Sequence, residues 1–465
     1  MNPTWMADQI VYEIFPDRFA IGHPHTSDTK LALPVYQQSR YERRRWDELP
    51  AQPPRGRDFF GGDLQGIIDR LDYLTELGVT CLYLTPIFTA PSNHKYDTTD
   101  FFQIDPMFGD ETTLRKLADA LHARGVRLVL DAVFNHISDR HPWCQEHPDW
   151  LAGTFWRGFG HMPELALERA DVREALFSVI EKWNAAGVDG WRFDVAVDVG
   201  LPFLHALRER FPNQVFIGEI MSHPAGWCGP TALSGVMNYV FRDAVLGWLN
   251  GEVSDRQMQR VLAEDFMGRW DSWNMLASHD TPRLRHVLPS EAVQRLAWVL
   301  QFTLPGAPVI YYGEEIGMDG GPDPDCRRPM IWDRAHWNDD LWNFIKNLIE
   351  LRRNRPELRR GRLMMLEAEG LVFLRATDEP HEVALIAINP HARLIRQRVF
   401  TPHPHLYHSL PLRNALAPDD TVTMDAGNVL LELRPHTAAI YLPADEMERY
   451  RFFKPRNRVA SHRAA

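Results

Sequence analysis

This chain has little cysteine, no long apolar run and no excess of positive charge, and each shortage excludes something. The 465 residues include four cysteines, Cys81, Cys144, Cys228 and Cys326. They are far apart and form no CxxC pair, which argues against a zinc site or a disulfide-stapled fold and fits free thiols in a reducing compartment. No stretch reaches the roughly 18 apolar residues that identify a membrane span. The opening MNPTWMADQIVYEIF lacks the basic-then-apolar pattern of a leader, so a cytoplasmic location is expected. The net charge of −11 argues against nucleic acid and anionic membrane as partners, because both favour a basic face. Neither a GxGxxG nor a Walker pattern is present, so a dinucleotide fold has no support.

What is present is alternation. Short apolar, β-branched or aromatic runs at 9–16, 79–86, 126–136, 190–196, 215–220, 235–240, 272–280 and 307–315 are separated by amphipathic stretches such as ETTLRKLADALHARG. Eight strands alternating with helices predict an α/β fold, a (β/α)8 TIM barrel, over residues 1–136 and 171–358. Residues 21–60 and 137–170 are long connections after the first and third strands, and 137–170 is expected to be a short inserted subdomain. Beyond the last barrel helix, LVFLRA, EVALIAIN, NVLLELRP and TAAIYLP alternate as short strands. They predict a C-terminal antiparallel β-sandwich over 359–446, followed by a basic, frayed tail at 447–465.

The strand ends carry charges that a structural barrel does not need. In DGWRFDVAVD, Arg192 and Asp194 fall on one face of a strand. Asp131, Asn135 and His136 end the third strand, Glu219 the fifth, and His279 with Asp280 the seventh. Any one of these aspartates reads as a helix cap, and one Arg–Asp pair reads as structural. As a set at the same end of separate strands they predict a pocket, since such burial is costly without chemistry. Several carboxylates without a metal cluster suit glycosyl transfer. One carboxylate attacks the sugar, and a protonated one releases the leaving oxygen. Arg192 is expected to keep Asp194 ionised, and the apolar VFIG before Glu219 to raise that group's pKa.

In order and placement, DAVFNH, GWRFDVA, GEI and SHD resemble the four short regions of the α-amylase family, glycoside hydrolase family thirteen. FFGGDLQGIIDRLDYLTELGVTCLYLTPIF, HKYDTTDFFQIDPMFGD and GAPVIYYGEEIGM extend the resemblance over nearly the whole barrel. The resemblance implies that Asp194 is the nucleophile, Glu219 the general acid/base and Asp280 the third carboxylate. It further implies that Arg192 orients Asp194, that His136 and His279 bond the sugar in subsite −1, that Tyr96 lies under that ring, and that Asp131 buttresses the arginine. GGPDPDCRRPMIWD and SHDTPR are similar to the cyclomaltodextrinase, neopullulanase and maltogenic amylase group, and imply that Asp323 and Arg327 hold a glucose at subsite −2. The partners so implied are α-glucan oligosaccharides: maltodextrins, cyclodextrins or pullulan. A transglycosylase or exo-acting α-glucosidase on the same scaffold stays open, as does a non-catalytic glucan-binding protein.

The chain also departs from that group. Its barrel pattern begins almost at Met1, without the group's N-terminal β-domain, so no oligomeric state is inferred. Ala166 stands where asparagine is expected, Val197 and Asp198 alter the acceptor side, and 137–170 is short, which together predict an open cleft. Many relatives bind calcium through the residue equivalent to Asn135. Here AIGHPHTSD is poor in carboxylates, so Asn135 is expected to support the site by hydrogen bonding, with no metal and no cofactor required. Trp143, Trp150, Phe155, Trp156 and Phe159 are expected to pack the core of the inserted subdomain.

Overall fold

The computed structural model describes residues 4–23, 30–36, 41–54, 56–265, 271–379, 381–404, 406 and 408–444; the expected basic tail lies outside them. The chain divides into two compact units, one drawn from residues 1–242, 271–287 and 307–349, the other from 243–270, 288–306 and 350–465.

Among the described residues of the first unit, eight parallel strands close into a barrel. They are β1 (Val11–Ile14), β2 (Cys81–Leu84), β3 (Arg127–Ala132), β4 (Gly190–Phe193), β5 (Val215–Ile220), β6 (Gly235–Asn238), β7 (Trp273–Met275) and β8 (Ala307–Tyr311). Each pairs with the next in chain order, and β8 closes on β1. All eight expected runs contain a strand. β2 and β8 are buried at every residue, as strands covered on both faces must be, which is why they read as apolar runs rather than alternating ones. β6 is shorter than its run. Asn238 Oδ1 accepts the Phe241 N–H at 2.9 Å and so caps the helix Tyr239–Leu249 that follows at once. Met6, Val11, Tyr83, Val129, Ile217, Met237, Trp273 and Val309 pack together in the barrel core.

Side-chain caps set the helices around it. Asp63 and Asp110 accept the N–H of Gly66 at 2.7 Å and of Thr113 at 2.8 Å, starting Leu64–Asp69 and Glu111–His122. Gly78, at φ 99°, ends Leu71–Leu77 in the left-handed conformation that glycine adopts without strain.

The insertion after β3 holds a short helix, Trp143–Glu146, and a hairpin that pairs Leu151–Phe155 with Pro163–Leu165. Its aromatic residues do not form the expected core. Trp143, Trp150 and Trp156 are half-buried, while Phe155 and Phe159 are exposed. A hairpin this small has no second layer to cover them.

Among its described residues, the second unit contains the helices Asp255–Asp265 and Glu291–Thr303 and eight antiparallel strands: β9 (Arg362–Leu366), β10 (Leu371–Ala376), β11 (Val383–Asn389), β12 (Ile395–Phe400), β13 (Pro411–Asn414), β14 (Thr421–Asp425), β15 (Asn428–Leu433) and β16 (Thr437–Pro443). Their order is β9-β10-β11-β16-β13-β14-β15-β12. Val372, Leu374, Leu385, Leu412, Val429, Leu431 and Tyr441 form their core. The edge strand β12 turns Arg396 and Arg398 outward, charges that discourage pairing with another sheet. No helix among the described residues is long and apolar enough to cross a membrane.

Candidate active site

Register builds the centre of the site. Arg192 on β4 is the pairing partner of Asp131 on β3. Its Nη1 donates to both Asp131 oxygens, at 3.0 and 2.9 Å, and to Asp194 Oδ1 at 2.9 Å. Its Nη2 lies 3.0 Å from Glu219 Oε2 as an ion pair, off the direction of a good hydrogen bond. Three carboxylates from three consecutive strands thus surround one buried guanidinium. Asp131 is braced further by the hydroxyl of Tyr83, at 2.6 Å, and that of Tyr96, at 3.2 Å.

One cation is divided among three anions. Burial pushes Asp194 well above the ordinary carboxylate range, and Glu219 and Asp131 add to that push. Arg192 opposes it without winning. Asp131 is raised as well, again by burial first. Arg192 favours the ionised form of Asp194, but its charge is shared with Asp131 and Glu219.

A second cluster forms beyond β7. His279 Nε2 is 3.1 Å from Asp280 Oδ2 and 2.6 Å from the Tyr96 hydroxyl, and its ring stacks on Tyr96 with the planes 12° apart. Arg327 Nη2 donates to Asp280 Oδ1 at 3.1 Å, while its Nε donates to the His279 carbonyl and lies 3.1 Å from Asp323 Oδ1. Burial acts to raise Asp280, but His279, Arg327 and Arg192 outweigh it and hold the group below the ordinary range. Its side chain is 32% exposed, against 9% or less for Asp131, Asp194 and Glu219. Asp323 is pushed up, by burial first and then by Asp280. Cys326, buried behind His279, donates from Sγ to its carbonyl at 3.3 Å, and burial pushes its thiol up to about 12.

His136 stands apart electrically. It is fully buried, its ring stacks on Trp156 at 4.8 Å, and neither ring nitrogen has a hydrogen-bond partner among the described residues. Burial lowers its pKa to about 4, with the Tyr96 backbone and Glu164 pulling the other way. It is a neutral imidazole with unused polar atoms. Asn135 Nδ2 donates to Glu164 Oε1 at 3.2 Å, and the Asn135 main-chain carbonyl accepts the Leu165 N–H at 2.9 Å. Among the described residues no group of three His, Cys, Asp or Glu is placed to hold a metal ion.

Three participants escaped the sequence reading. Glu13, on β1, reaches His279 Nδ1 at 2.6 Å. His94 stacks on Tyr96 at 5.9 Å, its pKa lowered to about 3 by burial and then by Arg327. Val195 has φ 39° and ψ 52°, a left-handed backbone that β-branched residues avoid, and its N–H donates to Glu219 Oε2 at 2.9 Å. The motif HKYDTTD was the available signal for His94; a lone glutamate in an apolar strand and a valine after an aspartate gave none.

With this geometry in view, residues 13–159 and 154–361 match the family model described as alpha amylase, catalytic domain. The chain belongs to the α-amylase family. Neopullulanase 2 of Thermoactinomyces vulgaris is 39% identical over 418 residues, covering 82% of this chain and 69% of that protein. A cyclomaltodextrinase of Geobacillus thermopakistaniensis strain MAS1 is 37% identical over 423 residues, 83% of this chain and 69% of that one. Among solved structures, Ttha1563 from Thermus thermophilus matches with a TM-score of 0.83 at 32% identity, over 95% of this chain and all of that one (100%). This α-amylase-family chain is a glycoside hydrolase, and the likeness to the cyclomaltodextrinase and neopullulanase group read from its motifs holds over most of its length.

Proposed function

We propose that this chain is a retaining hydrolase of α-1,4-glucosidic bonds in maltodextrins and cyclodextrins. The observation that carries the reading is the single guanidinium of Arg192 set between Asp131, Asp194 and Glu219. Retention needs a nucleophile and an acid at close spacing, about 5–5.5 Å rather than the 6.5–9.5 Å of inverting enzymes, and two carboxylates bound to one guanidinium suit the closer pair.

Asp194 attacks the anomeric carbon while Glu219 gives its proton to the departing glycosidic oxygen. The C–O bond breaks and a glycosyl ester forms on Asp194. Glu219, now a carboxylate, takes a proton from water. The water oxygen attacks the same carbon and frees Asp194. The positive charge developing at the sugar favours Asp194 as the anion. Asp280 takes sugar hydroxyls at the open side. Neutral His136, with its unused nitrogens, and Tyr96 hold the ring in subsite −1 together with His279. Asp323 and Arg327 hold the next glucose.

The names of the relatives, neopullulanase and cyclomaltodextrinase, support the substrate class. The proposal carries no cofactor and no calcium, so dialysis against a chelator leaves the activity intact. It places the enzyme in the cytoplasm, in keeping with four free cysteines. The test is reducing-end release from β-cyclodextrin beside a linear maltodextrin of equal glucose content, for the wild type and Asp194→Asn. Turnover of both by the wild type, lost in the variant, is expected. Unchanged turnover by Asp194→Asn sinks the mechanism. Turnover of the linear chain alone removes cyclodextrins from the proposal.

A further inference from the structure

Glu13 is a carboxylate in a place where a neutral residue would serve for structure. It lies on β1 with no solvent exposure. Its Oε1 accepts the main-chain N–H of His279 at 3.1 Å and meets His279 Nδ1 at 2.6 Å. Its Oε2 is buried with no hydrogen-bond partner among the described residues. A brace for one N–H and one ring nitrogen needs a single acceptor oxygen, which a glutamine amide supplies without burying a charge. The chain retains the charge, and the group placed to answer it is the imidazole.

That imidazole is at a branch point. With Nδ1 committed to Glu13, Nε2 is left facing two oxygens, the Tyr96 hydroxyl at 2.6 Å and Asp280 Oδ2 at 3.1 Å. A neutral ring with its proton on Nδ1 accepts from Tyr96. A doubly protonated ring places a cation 3.1 Å from Asp280 Oδ2, an ion pair off the direction of a good hydrogen bond. The charge on His279 therefore decides whether Asp280 has a cationic neighbour on this side.

We propose that Glu13 is a positioning residue for catalysis: its buried carboxylate holds a proton on His279 Nδ1 and keeps the ring cationic, so that Asp280 Oδ2 has an ion-pair partner 3.1 Å away at Nε2. This rests on the glycosidase reading above, in which Asp280 engages the sugar. Every element around the ring contributes to the balance. Glu13 comes from β1, Asp280 from the ring's own segment, Tyr96 from the segment after β2, and Asp131 from β3. Arg327 and Asp323, with the Cys326 thiol, come from the segment after β8. Tyr83, Tyr239 and Tyr311 lie around the Glu13 charge. Burial and Arg327 lower the pKa of His279, while Asp280 and Glu13 raise it and prevail.

The experiment is the pH profile of kcat/KM for the wild type and Glu13→Gln, read with the nitrogen-15 signals of the imidazoles, His279 being assigned by its loss in His279→Gln. Glutamine keeps the acceptor and removes the charge. The expected result is an alkaline limb moved to lower pH by about 1–3 units, the size of an adjacent opposite charge. A structural role lowers the height of the profile and leaves the limb in place, and that result overturns the proposal. In the wild type the ring is expected to carry both protons on the acid side and to keep the one on Nδ1 after titration. Retention on Nε2 overturns the proposal even where Glu13→Gln does not fold. The nitrogen signals use no turnover, so failure here is separable from failure of the glycosidase reading, which Asp194→Asn tests.

Discussion

In the barrel mouth, Arg192 is buried against carboxylates: Asp131, Asp194 and Glu219. In the second unit, Arg352 and Arg375 are just as deeply buried, against main-chain carbonyls. Arg352 donates to those of Phe302, Leu304, Gly306 and Leu358, and Arg375 to those of Thr303 and Gly361. Those carbonyls include the free end of the helix Glu291–Thr303, where the macrodipole is negative. The same side chain does two jobs. Surrounded by carbonyls, an arginine closes a helix and orders a turn. Surrounded by carboxylates, it concentrates groups whose protons can move. Burial opposes the cation in both places. Around Arg192 the acids prevail and raise its pKa, whereas Arg375 is pushed well below its ordinary value by burial and by Arg352.

The sharpest break of this comparison is removal of each cation. Arg192→Met is expected to lower kcat/KM on maltodextrin by roughly 10³-fold or more, about 4 kcal/mol of transition-state stabilisation, as Asp194 and Glu219 lose their shared anchor. A loss under tenfold would mean that the carboxylates hold their geometry unaided. Arg375→Met is expected to spare kcat per folded molecule and to cost about 3 kcal/mol of stability in urea unfolding, because buried carbonyls lose their donors. Normal stability with a reduced kcat would reverse the assignment of roles.

Much of this contrast was legible in the sequence, and the reason is specific. Asp131, Arg192, Glu219 and Asp280 interrupt apolar runs at the ends of strands, and a buried charge in such a run is conspicuous. Arg375 was not legible. In LVFLRA a charge reads as the solvent face of an alternating strand, yet β10 is buried at all six residues. Glu13 was missed because its partner lies 266 residues away. Val195 was missed because a valine carries no signal for a left-handed turn. Pattern reveals which face a residue occupies, and pairing across the chain decides what it meets there.

Loss of a neutral contact is expected to cost less. His136→Ala removes a buried imidazole whose nitrogens are unused in the free protein, so its effect falls on the bound state. Turnover of short maltodextrins should show kcat/KM lowered by about 10- to 100-fold, the value of one or two buried hydrogen bonds. Since its pKa is held to about 4 by burial, it should add no inflection to the profile between pH 5 and 8, two limits chosen as roughly the working range of histidine. A limb in that range that vanishes with His136→Ala would show that the ring titrates, and that the neutral reading is wrong.

Arg283 is the intermediate case. Its Nη1 donates to the Tyr312 carbonyl at 2.7 Å and to Glu314 Oε1 at 3.2 Å, one partner of each kind. Burial lifts Glu314 from 4.5 to about 7, against the pull of Arg283 and of the Leu284 N–H. A raised folded-state pKa means that between pH 4.5 and about 7 the folded chain holds more protons than the unfolded one. Stability from this group is then complete below 4.5 and falls as the pH rises through that window, at up to about 1.4 kcal/mol per unit. Glu314→Gln keeps an acceptor for Leu284 and removes the titration. The Tm of the wild type minus that of the variant should therefore fall as pH rises from 4.5 to 7. A difference that stays flat or grows would show that Glu314 is ionised throughout, and that one carbonyl and one carboxylate hold a buried arginine as firmly as three carboxylates do.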